Sequence, residues 1–127
     1  MSILGIGIDI VEINRIKKIL KENRSFIDRI YTKQERSSCL GNKKVFCYAK
    51  KYAAKEAFVK ALGTGFRYGI NFKNIEIKND KLGKPFVKLD KILNLKIKKK
   101  YKIKKFNVFL SISDENKYAI ANILITK

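Results

Sequence analysis

Residues 53–65 have the sequence Ala-Ala-Lys-Glu-Ala-Phe-Val-Lys-Ala-Leu-Gly-Thr-Gly, a helical pattern that ends at a glycine. With the residues before it, this pattern predicts one long helix over residues 45–62, with Gly63 as its C-terminal stop. Five residues share one stripe of that helix: Ala53, Glu56, Ala57, Lys60 and Ala61. The alanines allow another element to approach closely, beside a carboxylate and an ammonium. The alternative, which the local pattern favours, is a surface Glu56–Lys60 pair worth only ~0.3–0.5 kcal/mol.

Residues 3–10 alternate in a way that predicts a β-strand with one unusually bare face. One face carries Ile6, Ile8 and Ile10, and the other carries Gly5, Gly7 and Asp9. The two glycines leave room for a ligand or for another backbone to approach the Asp9 carboxylate. The alternative, slightly favoured by the local pattern, is that Asp9 caps a helix predicted over residues 11–22.

The remaining patterns predict an α+β fold, a mostly antiparallel sheet packed on the long central helix. A capping box, Thr32 with Glu35, predicts a short helix. Further predicted elements are strands at 72–78 and 86–89 around a turn, a weak helix within 91–105, and a C-terminal hairpin of 108–113 with 117–125. A chain of 127 residues is expected to form one domain, residues 1–127.

The composition excludes several kinds of chemistry. The chain has no His, so Ser–His or Cys–His nucleophile pairs and imidazole zinc ligands are impossible, and a metal would be a hard cation on oxygen ligands. The longest apolar stretches, such as residues 119–125, are too short to span a bilayer. Cys39 and Cys47, in a chain without a secretory signal, predict reduced thiols and a cytoplasmic location.

The formal net charge of +19 predicts an anionic partner, which could be a nucleic acid, a lipid surface, an acidic protein or a phosphorylated cofactor. Of the 30 basic residues 25 are Lys, however, and Lys, Ile and Asn share A/T-rich codons, so codon bias explains part of the excess. A basic nucleic-acid-binding module is one hypothesis, although no motif that reads nucleic acid is present. A structural protein is another, in which Asp9 and Glu56 only cap and pair.

Two further segments carry candidate site residues. Gly83-Lys84-Pro85 forms a rigid turn whose lysine could meet a phosphate, although a solvated turn lysine is commoner. Ser111-Ile112-Ser113-Asp114 places two hydroxyls on one strand face, and without His it is not a hydrolase triad.

Taken in order, these segments resemble the holo-[acyl-carrier-protein] synthase family, the small phosphopantetheinyl transferases of bacterial fatty-acid synthesis. The resemblance covers nearly the whole chain. It is carried by residues 5–12, by Phe26, Arg29, Thr32 and Glu35, by residues 53–65, by residues 83–85 and by residues 111–114.

The resemblance implies transfer of the 4'-phosphopantetheine group from coenzyme A to a serine of apo acyl carrier protein, with release of adenosine 3',5'-bisphosphate. By position, Asp9 and Glu56 match the ligands of a Mg²⁺ ion. Lys60 matches the lysine that contacts a coenzyme A phosphate near the reaction centre. The implied catalytic residues are therefore Asp9, Glu56 and Lys60, and Glu56 is the best candidate for the general base.

The resemblance also implies binding residues and an assembly. The implied coenzyme A contacts are Lys51, Lys60, Gly63, Thr64, Gly65, Gly83, Lys84 and Pro85. Arg15, Phe26 and Arg29 match the region that meets the acidic helix of the carrier protein. Family members are similar in forming trimers with active sites at subunit interfaces. Asp114 stands where some members have His, so any role of that His is absent here, and nothing is implied for residues 91–105.

Overall fold

The computed structural model describes residues 1–127 and confirms the α+β class. The elements, in chain order, are β1 (Ile3–Glu12), α1 (Ile13–Glu22), α2 (Arg24–Ile30), α3 (Lys33–Ser38), α4 (Lys44–Leu62), β2 (Ile75–Asn79), β3 (Pro85–Leu89), α5 (Lys91–Tyr101), β4 (Asn107–Asp114) and β5 (Tyr118–Thr126). Single turns of 3-10 helix lie at Gly41–Lys43 and Phe72–Asn74. One antiparallel sheet has the order β1-β5-β4, and β2 with β3 forms a separate hairpin.

Helix α4 is the predicted central helix, and its start differs from the prediction by one residue. It packs against β1 and β5, and its residues Ala53, Ala54 and Ala57 are fully buried. Gly63 ends the helix in the left-handed conformation with φ +75°, as the sequence pattern predicts.

The bare face of β1 lies directly on the backbone of α4. A Cβ atom on Gly7 would stand 2.0 Å from the carbonyl oxygen of Ala57, and one on Gly5 would stand 1.9 Å from that of Ala61. No side chain fits at either position, so the two glycines and the two alanines let strand and helix approach more closely than other residues would. The space that the sequence predicts beside Asp9 is therefore filled by another backbone.

Gly7→Ala is expected to destabilise the protein by about 3 kcal/mol or more, at or beyond the upper end of overpacking effects, because strand and helix must separate. Gly41→Ala is the matched control, since Gly41 has φ +76° but nothing within 4 Å of its Cβ position. That strain alone costs about 1–2 kcal/mol. Urea unfolding of both variants compares the two effects, and equal losses would contradict the close packing of β1 on α4.

The prediction that Asp9 caps the following helix is wrong. Strand β1 continues through Glu12, and α1 begins at Ile13 with Glu12 as its N-cap and no capping side chain. The strand is prolonged because β5 pairs with it as far as Glu12↔Tyr118, and the Ile13 N–H then donates to the Lys117 carbonyl at 2.8 Å. Asp9 is thus a strand residue beside α4.

Other boundaries shift for local reasons. The strand predicted from residue 72 begins at Ile75, because Phe72–Asn74 forms a 3-10 turn in which the Asn71 N–H donates to Asn74 Oδ1 and the Asn74 N–H donates to the Asn71 carbonyl. The weak helix predicted within residues 91–105 ends at Tyr101, where Lys102 adopts a left-handed conformation with φ +55°. Helix α2 was not predicted. The capping box of Thr32 and Glu35 and the C-terminal hairpin are confirmed.

The prediction of two reduced thiols is also wrong, because Cys39 and Cys47 form a disulfide in this structure. Cys39 follows the last residue of α3 and Cys47 lies in the first turn of α4. The short connection between the two helices brings the Cα atoms to 5.4 Å, within the range that a disulfide requires.

A buried ion pair joins α3 to α4, and neither side chain has any exposed surface. The Lys55 ammonium donates to Glu35 Oε1 at 2.6 Å and to the carbonyls of Ile30 and Phe72. Glu35 also accepts hydrogen bonds from the backbone N–H of Thr32 and, in β2, of Ile77. Burial lowers the pKa of Lys55, and the neighbouring Glu35 opposes that shift. The pair therefore links α3, α4 and β2.

The outer face of the three-stranded sheet is apolar and uncovered in the single chain. Ile6, Ile8 and Ile10 of β1 are between 57% and 67% exposed, and Phe109 of β4 is 50% exposed. Leu124 of β5 pairs with both Ile6 and Phe109, so these side chains form one continuous patch. No helix of the structure combines the length and the apolar character needed to cross a membrane.

Candidate active site

The packing of β1 on α4 brings Asp9 to Lys60, 51 residues further along the chain. The Lys60 ammonium lies 3.0 Å from Asp9 Oδ1, with the Asp9 side chain 15% exposed and that of Lys60 53% exposed. The local pattern predicts that Lys60 pairs with Glu56 on the helix surface. That partner is wrong, because Lys60 pairs with Asp9. Lys60 pairs across the fold, with an acid from a different element.

Glu56 lies one turn before Lys60 on α4 and is half-buried. Burial is the largest cause that raises its pKa, and a hydrogen bond with the Tyr52 side chain opposes it. The Asp9 charge raises this pKa further, while Lys60 and Arg15 lower it. Two acidic and two basic side chains are thus close enough to influence one another.

Tyr52 is a member of this cluster that sequence reasoning missed. Its ring stacks on Phe72 at 5.7 Å between centroids and packs against Phe26 at 5.8 Å. Its pKa is raised to about 12, first by burial and then by the neighbouring Glu56, so the phenol keeps its proton near neutral pH. The spacing of four residues from Glu56 on a predicted helix is the signal that could have identified it.

Asp9 and Glu56 form a donor set suited to Mg²⁺. The structure contains no group of three or more His, Cys, Asp or Glu side chains placed to hold a metal. Two carboxylates are nevertheless what Mg²⁺ typically takes from a protein, because it keeps several waters and binds substrate phosphates. The Lys60 ammonium on Asp9 shows that this position favours a cation. The residues present therefore fit the ion that the resemblance implies.

A second group of predicted residues lines a cavity of about 190 Å³ between the first half of α4, the β2–β3 hairpin and the end of β4. Among its lining residues are Lys51, Gly83, Pro85 and Asp114, together with Lys50, which the sequence did not single out. The fold thus brings together residues from three of the predicted segments.

Lys51 is not free to meet a ligand in this structure. It is only 4% exposed, and its ammonium donates to the Ile77 carbonyl at 2.8 Å. Burial lowers its pKa, against the opposing effect of Glu35. Lys84 is exposed at the tip of the hairpin, where its N–H donates to Asp80.

The loop after α4 has the irregular backbone that its glycines predict. Gly65 has φ +61°, and Thr64 is buried with its hydroxyl donating to the Gly65 carbonyl. The loop begins three residues after Lys60, so it lies at the same end of α4 as the Asp9–Lys60 pair.

The three predicted carrier-protein contacts differ in exposure. Arg15 and Arg29 are exposed, and Arg29 lines an open cavity of about 500 Å³ beside Phe72. Phe26 is only 7% exposed and packs against Tyr31 and Tyr52. Its ring therefore supports the surface from below.

The pattern of the 4'-phosphopantetheinyl transferase superfamily matches residues 5–122. The chain belongs to that superfamily. Among its relatives, a holo-[acyl-carrier-protein] synthase of Pelagibacter ubique is 55% identical over 130 residues, which is 100% of this chain and 99% of the relative.

Solved structures share the fold of this chain. The holo-[acyl-carrier-protein] synthase of Neisseria meningitidis superposes with a TM-score of 0.86 at 40% identity, covering 99% of this chain and 100% of that one. The Bacillus anthracis synthase, in complex with CoA (3',5'-ADP), superposes with a TM-score of 0.82 at 35% identity and covers 100% of this chain and 99% of that one.

Proposed function

We propose that this protein is a Mg²⁺-dependent holo-[acyl-carrier-protein] synthase of fatty-acid biosynthesis. It transfers 4'-phosphopantetheine from coenzyme A to a serine of apo acyl carrier protein. One observation supports this proposal best. Asp9 and Glu56 come from distant segments of the chain, and both lie near the Lys60 ammonium. Full-length relatives with this activity in their names, one of them bound to CoA, agree with it.

In the reaction, the serine oxygen forms a bond to the phosphorus that carries the pantetheine arm. The bond from that phosphorus to the bridging oxygen breaks, and adenosine 3',5'-bisphosphate leaves with the electron pair. The proton of the serine passes to a base, for which Glu56 is the candidate, since the chain has no imidazole.

Asp9 and Glu56 would hold Mg²⁺, which supplies charge neutralisation at the diphosphate and at the leaving phosphate when it is bound. The Lys60 ammonium lies beside Asp9, where it would stabilise the negative charge that develops on the phosphates during transfer. In the free protein Asp9 keeps this ammonium oriented. Both carboxylates are partly shielded from water, which strengthens their interaction with cations.

Further residues would bind the rest of coenzyme A. We assign the loop of Gly63, Thr64 and Gly65, with Lys84 and Pro85 of the hairpin, to contacts with the nucleotide. Lys51 could contribute only after leaving the Ile77 carbonyl. We further propose that residues 1–127 act as a single domain in the cytoplasm.

Incubation with coenzyme A, Mg²⁺ and apo acyl carrier protein, followed by intact mass measurement, tests the proposal. We expect the carrier to gain one phosphopantetheine group and coenzyme A to yield adenosine 3',5'-bisphosphate. Removal of divalent metal with EDTA should stop the reaction, and Mg²⁺ should restore it. Absence of the adduct at every Mg²⁺ concentration would overturn the assignment.

We also propose that the protein assembles as a homotrimer through the exposed face of the three-stranded sheet. That face carries several large apolar side chains from β1 and β4 in one continuous patch, and exposed patches of this kind mark association surfaces. The resemblance to a trimeric family and this uncovered face support the same assembly.

Ile8→Lys is expected to convert the trimer to monomers, because it places a charge in the middle of the buried face. Ile92→Lys is the control, since Ile92 is similarly exposed, at 61% against 57% for Ile8, but lies on α5. Light scattering after size exclusion measures both molar masses. A monomeric parent protein, or a trimer that tolerates Ile8→Lys, would contradict the proposed interface.

Arg15→Glu with Arg29→Glu is expected to raise the KM for acyl carrier protein by about 10-fold or more, since like charges then face an acidic partner. The KM for coenzyme A should not change. The control is Arg67→Glu with Lys105→Glu, which changes the net charge equally at two exposed loop positions. An equal effect of the control would show that the KM for acyl carrier protein depends only on the overall charge of the protein.

A further inference from the structure

Helix α5 has two faces of different character. Leu93 and Ile97, four residues apart, are buried and attach the helix to the core. Ile92 and Leu95 lie on the opposite side, since each residue turns by about 100° around the helix, and they are 61% and 59% exposed. These two large aliphatic side chains therefore form an outward apolar pair that the core does not use.

Lysines surround this outward pair. Lys91 lies four residues before Leu95, and Lys98 and Lys99 lie three and four residues after it, so all three are its neighbours on the helix surface. Lys91 and Lys99 are exposed, and Lys98 is partly exposed. The three lysines and the apolar pair together are called the basic face of α5. More lysines follow it in the chain: Lys100, Lys102, Lys104 and Lys105.

The positive charge of the basic face has no acid to balance it. Residues 91–113 contain no Asp or Glu, and none of the lysines in residues 91–105 has an acidic partner within ion-pair distance. Asp90 precedes α5 but is occupied as its N-cap, where it accepts a hydrogen bond from the Leu93 N–H. Codon bias explains part of the lysine count, yet the resulting charge still attracts anions. The ammonium groups of the basic face are therefore free to meet an anion outside the chain.

We propose that the basic face of α5 docks the protein on an anionic lipid bilayer. On such a surface Ile92 and Leu95 enter the boundary between headgroups and acyl chains, while the flexible lysine side chains keep their ammonium groups among the lipid phosphates. A nucleic acid would also attract the lysines, but it offers no apolar layer for the two aliphatic side chains. The apolar pair therefore favours lipid as the partner.

This surface is separate from the other surfaces assigned above. The proposed catalytic residues lie on β1 and α4, and the proposed trimer interface is the outer face of the sheet β1-β5-β4. Helix α5 belongs to neither. Docking on a bilayer is thus a property beyond the proposed transferase activity, and it needs no residue of the active site.

Co-sedimentation of the full-length protein with lipid vesicles tests the proposal. One set of vesicles contains phosphatidylcholine alone, and the other contains equal parts of phosphatidylcholine and the anionic phosphatidylglycerol. We expect binding to the anionic vesicles only, and weaker binding as salt is raised, because mobile ions screen charges at a surface. No binding to the anionic vesicles at low salt, or equal binding to both sets, would overturn the proposal. Coenzyme A is absent, so the result is independent of the proposed activity.

The first test variant replaces the three lysines of the basic face together: Lys91→Gln, Lys98→Gln and Lys99→Gln. It is expected to weaken binding to anionic vesicles by about 100-fold, since each lysine near such a membrane is worth about fivefold in affinity. The control removes the same charge at three exposed positions of α3 and the start of α4: Lys33→Gln, Lys43→Gln and Lys44→Gln. The control should stay within about threefold of the parent protein, because salt screens charges far from the contact. Equal losses in the two variants would show that only net charge matters and would overturn the docking face.

Ile92→Ser with Leu95→Ser tests the apolar part of the surface and keeps every charge. Affinity for anionic vesicles should fall by about 10-fold or more, since burial of even one such side chain is worth that much. Circular dichroism should show the helix content of the parent protein, because both positions are exposed. Unchanged vesicle binding by this variant would indicate a general site for polyanions. Tighter binding of the parent protein to duplex DNA than to the vesicles would indicate a nucleic-acid surface, and either result overturns the lipid proposal.

Discussion

Glu56→Ala is expected to lower the rate of phosphopantetheine transfer by at least about 1,000-fold, since metal ions contribute several kcal/mol to catalysis of this kind. The fold should survive, because Glu56 is only half-buried and its alanine neighbours already pack the helix against β1. Transfer is measured by intact mass of the carrier protein, and folding by circular dichroism. Mn²⁺ binding to the variant, followed by electron paramagnetic resonance, should weaken in parallel.

Asp9→Ala is expected to act similarly on transfer, because it removes the other carboxylate and the partner of Lys60. Glu12→Ala provides the control, since Glu12 is an exposed acid of the same strand. Transfer within about 10-fold of the parent in Glu56→Ala would contradict the metal assignment. Equal losses in Asp9→Ala and Glu12→Ala would point to general charge effects.

Lys55→Met is expected to destabilise the protein by about 3–5 kcal/mol, because it leaves the Glu35 carboxylate buried and unpaired. The loss is large against a typical total stability of about 5–15 kcal/mol. It arises at a point where Glu35 also holds the N–H groups of Thr32 and Ile77. Urea unfolding at neutral pH measures it.

The double variant Lys55→Met/Glu35→Leu separates ion pairing from packing. With both charges removed, part of the stability should return, because no isolated charge is then buried. Lys44→Met on the exposed first turn of α4 is the control and should change stability by less than about 0.5 kcal/mol. A loss by Lys55→Met no greater than that of the control would show that the pair does not hold α3, α4 and β2 together.

Features that depend on a few neighbouring residues could be predicted from the sequence. The capping box of Thr32 and Glu35 and the helix end at Gly63 follow from backbone chemistry within one turn, and both are confirmed. The alternating residues of the C-terminal hairpin likewise specified both strands. The strand–helix boundary near Asp9 could not be predicted this way, because pairing with β5 prolongs β1 to Glu12.

The candidate site shows the same division. That Asp9, Glu56 and Lys60 belong together was inferred through the family resemblance, while their local patterns favoured a cap and a surface pair. The state of the two adjacent lysines was not predictable either. Lys50 and Lys51 differ by about 100° around the helix, so the Lys51 ammonium donates to the Ile77 carbonyl while the Lys50 side chain stays 39% exposed.

By itself, the sequence determined the α+β class, the long helix with its glycine stop, and the absence of any imidazole from the chemistry. These properties depend on composition and on local periodicity. Only the tertiary structure decided that Gly7 lies on the Ala57 backbone and that Asp9 therefore meets Lys60. The physical reason is that these contacts join segments whose distance is set by close packing of whole elements, which no local preference encodes.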